Sequence, residues 1–129
     1  MVDHLVVSEP IYWRDLQRAM KAPAVSPRRS GTDADVLWYG FDRTHRQKAI
    51  AAEDVKGQFR DLEAGMAALR KLHAEMLQYV RTTNDDLRSH VVERERSDAY
   101  QWLVLISAHK QRHVLQIREI KADPKFPKK

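Results

Sequence analysis

The chain has 129 residues, 43% of them hydrophobic, with 23 Lys+Arg against 18 Asp+Glu, a formal net charge of +5 and no cysteine. A chain of this length can bury on the order of two thirds of its unfolded surface around one core, so residues 1–129 are expected to form a single domain and large multidomain enzymes are excluded. Without cysteine there is no disulfide framework, thiolate zinc site, iron–sulfur cluster or cysteine nucleophile, and any protein-held metal must use His, Asp or Glu.

No run alternates apolar and polar residues well enough to mark a strand, and helical periodicity dominates, which predicts an all-α fold. The first expected helix covers Val2 to about Lys21 and carries Leu5, Val6, Ile11, Tyr12, Leu16 and Met20; Pro10 should kink it or shift its start. Residues 22–50 read as a long connection, opening on the loop signal from Ala22 to Gly31 and followed by the apolar patch Val36-Leu37-Trp38-Tyr39. Connections of that length carry function or a short helix. A middle helix is expected near 53–82, where Val55, Phe59, Leu62, Met66, Leu69, His73, Met76 and Val80 recur on one face, widened by Leu72 and Leu77 and locally weakened by Gly57 and Gly65. The last helix should run from Ser97 or Asp98, either a possible N-cap, to Ala122, with Asp123-Pro124 ending it.

Residues 123–129 form a basic tail, and 118–129 hold Arg118, Lys121, Lys125, Lys128 and Lys129 against Glu119 and Asp123, which accounts for most of the net charge. The basic residues are not arrayed on a face with aromatics between them, so nucleic acid is not an expected partner. The apolar run Leu103 to Ile106 falls far short of the roughly 18 residues a membrane span needs, and no basic-then-apolar leader opens the chain. A soluble, cytoplasmic protein with no membrane partner is expected.

Six histidines carry the chemistry. His109 and His113 stand four residues apart on the stripe of Trp102, Ile106, Ile117 and Ile120, so both imidazoles share the inward helix face. Two buried imidazoles need either a metal or hydrogen-bonding partners to offset their desolvation, and the spacing serves both readings. For a third ligand, His4 on the first helix ranks ahead of His73 on the middle one; His45 and His90 lie in polar segments and should be solvated. The pair encloses Lys110-Gln111-Arg112 and so lacks the Glu of the H-E-x-x-H motif, which argues against a metallopeptidase; nucleophile-elbow, phosphate-loop and dinucleotide motifs are absent too.

Three stretches resemble the DinB-like superfamily. The C-terminal run Asp98-Ala99-Tyr100-Gln101-Trp102-Leu103, then His109 to Ile117, then Glu119 to Pro127, is similar to its last helix and tail. The opening Asp3-His4-Leu5 with Glu9 resembles its second helix, which carries the first metal histidine, and Tyr79 to Thr83 with Asp86-Leu87-Arg88 resembles its middle segment more loosely. The resemblance implies an up-down-down-up four-helix bundle with about three of the helices present, the first being absent, and a divalent metal, zinc or nickel, held by His4, His109 and His113. It also implies a metal-dependent hydrolase or a thiol-dependent transferase or isomerase acting on a small molecule, with a low-molecular-weight thiol such as bacillithiol, mycothiol or glutathione as cosubstrate. A stress-related, non-catalytic helical module is the alternative. Three helices would leave a core face uncovered, so a homodimer is expected.

Each metal histidine should pass its other ring nitrogen to a further group, for which Glu9 and Gln116 are candidates. Lys110 and Arg112 flank the pair, where they would attract an anionic substrate or simply be solvated. Trp38, Tyr39 and Phe41 are candidates to line a substrate pocket. No residue stands out as a general base.

Overall fold

The computed structural model describes residues 2–26, 31–57 and 61–127, and within them four α-helices carry nearly all regular structure. These are α1 (Val2–Lys21), α2 (Asp33–Phe41), α3 (Leu62–Thr82) and α4 (Ala99–Ala122), with a one-turn 3-10 helix at Ala51–Glu53. A two-residue antiparallel pair, Val91 opposite Asp98 and Val92 opposite Ser97, leads into α4. The all-α expectation holds, and the strand pair is an addition too short for periodicity to reveal. Among the described residues no helix is long and apolar enough to cross a membrane.

The expectation of about three helices is corrected, because the 22–50 connection contains α2. Thr32 and Asp35 form a capping box: Thr32 Oγ1 accepts from the Asp35 backbone N–H at 3.1 Å, and Asp35 Oδ2 accepts from the Thr32 N–H at 2.8 Å. Two orphan amides are thereby satisfied in a helix of nine residues, too short to stand without tertiary support. That support is α4, against which Gly40 packs so closely that an added Cβ would lie 2.4 Å from the Ala108 Cβ. Gly40→Ala must therefore push α2 outward, and overpacking of this kind costs about 1–3 kcal/mol, to be read as a lowered urea midpoint at unchanged m-value.

The middle helix also begins later than its periodicity suggests. Asp61 caps it, accepting from the Ala64 N–H at 2.8 Å, while Gly57 at φ +70° holds a left-handed turn that stops any helix running in from residue 53. Val55 is exposed in that turn, and Phe59 lies outside the described residues. Packing on α3 is rotated from the expected stripe: Gly65 and Met76 are buried, with Leu72 and Tyr79 packed on the core, whereas Leu62, Leu77 and Val80 are exposed. The reason is that the α3 backbone packs on α1 and not closely on α4, which meets α3 through side chains such as Met76, whose sulfur lies 3.8 Å from Lys110 Nζ.

Contacts between named residues set the helix directions. His4 meets His109 and His113 while Tyr12 meets Trp102, so α1 and α4 are antiparallel. Val6 lies against Gly65, and Trp13 meets Glu75 and Tyr79, so α1 and α3 are parallel. The three long helices thus run down, down and up. Asp33 meets Gln101 and Gly40 meets Ala108, so α2 runs parallel to α4 and gives it the neighbour that a three-helix reading lacked.

The core gathers Trp13, Leu16, Ala19, Met76, Val92, Ala99, Trp102 and Ile106. Trp102, 1% exposed, donates its indole N–H to the Tyr12 carbonyl at 2.8 Å, so its large apolar area is buried without an orphaned donor. Pro10 does not divide α1, which continues unbroken to Lys21. At the start of α4, Asp98 accepts from the Gln101 N–H at 2.7 Å, the N-cap expected from the sequence. Arg88 bonds both Asp98 (3.0 Å) and Asp33 (3.0 and 2.7 Å) and lies 3.9 Å over the Tyr100 ring, which clamps the start of α2 to the start of α4.

Candidate metal centre

The antiparallel packing of α1 on α4 brings His4 onto the i, i+4 pair of α4. Nε2 of His109 lies 3.3 Å from Nε2 of His4 and 3.1 Å from Nε2 of His113, and one nitrogen from each ring falls within 4.8 Å of the others. A tetrahedral ion with nitrogen bonds of about 2.0–2.1 Å sets its ligands about 3.3–3.4 Å apart, so the spacing fits a single divalent ion. Three lone pairs pointed at one another suit a cation at their centre better than hydrogen bonding, because one Nε2 proton can bridge only some of the contacts.

The electrostatics agree with that geometry. Burial, followed by the charges of His113, His4, Arg112 and Lys110, lowers the pKa of His109 to about 3. Burial and His4 lower that of His113 to about 4, partly opposed by Gln116. Both rings are therefore neutral at neutral pH, the form in which imidazole binds metal. Gln116 Oε1 accepts from His113 Nδ1 at 3.1 Å, so the Nδ1 proton is held away and the Nε2 lone pair faces the cluster.

A family comparison matches residues 1–117 to the DinB superfamily. The chain belongs to the DinB superfamily. No curated protein and no solved structure matches it. As a DinB-like protein it falls in a superfamily that is typically metal-binding, and it holds a histidine cluster that could carry an ion.

Other expectations for this DinB-like chain are met only in part. His73 is exposed on α3 and does not join the cluster, since the α3 backbone makes no close approach to α4. His45 is exposed as expected, its Nδ1 beside Thr44 Oγ1 and Asp42. His90 is not fully solvated, because its Nδ1 donates to the Ala19 carbonyl at 3.0 Å. Gln116 fills its expected place, but Glu9 does not. The Glu9 side chain, 1% exposed, accepts from Lys110 Nζ at 2.9 Å instead of from a ligand ring, and burial pushes its pKa up against the opposing pull of Lys110. Solvation of Lys110 and Arg112 is corrected too. Lys110 is held by Glu9, and Arg112, 5% exposed, donates Nη2 to the His45 carbonyl at 2.6 Å, tying the turn after α2 to α4.

Trp38 and Phe41 do line a groove, but with Leu115, Arg118 and Ala122 on the side of α4 turned about 120–180° from His109 at the helix repeat of roughly 100° per residue. Tyr39 is exposed and outside it. These aromatics therefore do not wall the histidine cluster. Tyr12 does: its ring stands edge-on to His109 with centroids 5.2 Å apart, and its hydroxyl donates to Glu53 Oε1 at 2.9 Å. Burial first, and then Glu53, raise the Tyr12 pKa, so the phenol stays protonated. Sequence reading counted Tyr12 only as core, and the signal that it neighbours the site is its position two turns beyond His4 on the same helix.

Proposed function

We propose that His4, His109 and His113 hold a divalent metal, zinc or nickel, and that the protein is a metal-dependent hydrolase or a thiol-dependent S-transferase or isomerase acting on a small molecule. The observation that carries this reading is the convergence of three Nε2 atoms from two antiparallel helices, all from imidazoles. Three protein ligands leave a coordination position for water or substrate, the pattern of catalytic rather than structural sites. An ion bound there supplies Lewis-acid chemistry, lowering the pKa of a coordinated water or thiol toward about 7.

The chain's own residues prepare that chemistry. Burial keeps His109 and His113 unprotonated at neutral pH, and Gln116 fixes the tautomer of His113. Tyr12 walls the cluster as a protonated phenol, an apolar face towards His109 and a donor towards Glu53. The Glu9–Lys110 pair adds no net charge beside the site, whereas Arg112 adds a positive one. With no cysteine in the chain, any thiol in the reaction comes from a cosubstrate.

The test uses zinc- or nickel-loaded protein, assayed with a chromogenic ester alone and with a small electrophile plus bacillithiol, mycothiol or glutathione. Turnover should depend on the metal and vanish in His4→Ala, and its dependence on added thiol separates transferase from hydrolase. Loaded protein inert in every assay would favour the non-catalytic helical module.

A further inference from the structure

Among the buried polar atoms at the α1–α4 contact that have no hydrogen-bond partner are Nδ1 of His109, Oγ of Ser8 and Oε1 of Glu9. Ser8 is 0% exposed, so water does not satisfy it from outside, and a hydroxyl left unpaired there keeps its full desolvation penalty. Placement relates the first two. The His109 ring contacts the His4 ring at 5.3 Å and the Tyr12 ring at 5.2 Å between centroids. Ser8 stands one turn after His4 and one turn before Tyr12, on the same side of α1. Its register therefore places it on the side of α1 that carries both rings in contact with His109.

We infer that Ser8 is the positioning partner of His109, its hydroxyl bonding Nδ1 and so presenting Nε2 to the ion; this rests on the three-histidine reading of the site. The two atoms are not bonded to each other in the structure. The other unpaired buried atoms suit the role less well. Arg112 Nη1 can only donate, and Ser97 lies twelve residues earlier on the chain than His109, about 18 Å along a helix. Glu9 keeps an unpaired Oε1, but it is about 100° further round α1 and its Oε2 is held by Lys110.

A hydroxyl also has a property that a carboxylate lacks. When Nε2 faces a cation the ring proton sits on Nδ1, and the hydroxyl accepts it. When no cation is present Nε2 can take the proton for its contacts with His4 and His113, and the hydroxyl then donates to Nδ1. An ionised carboxylate can only accept, and would serve the first state alone. Ser8 thus supports His109 with and without metal, whereas Gln116 Oε1 holds His113 in its metal-facing tautomer throughout.

The experiment compares wild type, Ser8→Ala and Glu9→Gln in the full chain, with zinc affinity measured by competition against a chromogenic chelator and imidazole nitrogen NMR recorded on the zinc-loaded proteins. Ser8→Ala keeps a good helix former at the position, so the fold should survive. It should weaken zinc binding about 10–100-fold, the usual effect of removing a group behind a ligand, and shift the His109 Nδ1 signal while leaving that of His113 in place. Wild-type affinity in Ser8→Ala, weakened binding with an unmoved His109 signal, or a His109 signal that moves only in Glu9→Gln would each overturn the assignment. A wild type that binds no zinc would instead bring down the three-histidine reading, and this inference with it.

Discussion

Metal-free protein titrated with zinc at pH 7 should take up about one ion per chain, and His109→Ala should lose affinity by more than the roughly 10–100-fold that removal of a group behind a ligand costs. His109 is the variant of choice because its Nε2 is the atom that both other Nε2 atoms approach, at 3.3 and 3.1 Å. His73→Ala should bind like wild type, since that ring is exposed on α3 and is not part of the histidine cluster. The proton count of binding is a second readout. With pKa values near 3 and 4, His109 and His113 carry no proton at pH 7, so calorimetry in buffers of different ionisation enthalpy should show almost no release from them. Equal, negligible zinc in wild type and His109→Ala would remove the basis for a metal centre.

Stability of the metal-free protein should fall as pH drops below about 6.5. Imidazoles in the unfolded chain titrate near 6.5, while in the fold His109 titrates near 3 and His113 near 4. Between those values the unfolded state binds protons that the native state excludes, so acid favours unfolding. The stability is fully present above about 6.5, drains away as pH falls, and has lost these contributions once both folded rings protonate. In the middle of the window each histidine contributes a slope of up to about 1.4 kcal/mol per pH unit. Urea midpoints measured at pH 7.5, 5.5 and 4.5 should trace this fall, and His109→Ala should flatten it. An unchanged slope in His109→Ala would show that its imidazole is not held neutral by burial.

The helices and the histidine pair were legible because both are local properties. A repeat of 3.6 residues places Trp102, Ile106, His109 and His113 on one face whatever surrounds them, and Asp98 can cap α4 with its own side chain and the amide three residues on. His4 ranked first for a third ligand from its place on another helix, and the family resemblance then named it, because nothing in its neighbourhood says which helix it will face. The capping box Thr32-Asp33-Ala34-Asp35 was also present in the sequence, immediately ahead of the Val36 to Tyr39 patch, and would have announced α2 inside what reads as a connection.

Residues whose roles depend on a second element were misread for one reason: periodicity says which side of a helix is apolar, but not what will cover it. Leu62, Leu77 and Val80 share the apolar face of α3 and stay exposed, because α1 meets that helix on the Gly65 and Met76 side. Arg112 and Lys110 have the composition of a solvated surface, yet α1 and the turn after α2 close over them and supply a carboxylate and a carbonyl. Glu9 looks like a partner for a ligand histidine until Lys110 claims it, and Ser8 carries no signal until its burial leaves the hydroxyl unpaired.

The lack of cysteine did determine, by itself, that histidine and carboxylate are the available metal ligands. Local spacing then determined where the helices lie and that two imidazoles share one of them. Only the tertiary structure decided that α2 covers α4, that the cluster is completed from α1, and which neighbours keep its rings neutral and oriented. Those features arise from contacts between helices far apart in the chain, where burial and partner geometry, rather than propensity, set the energy.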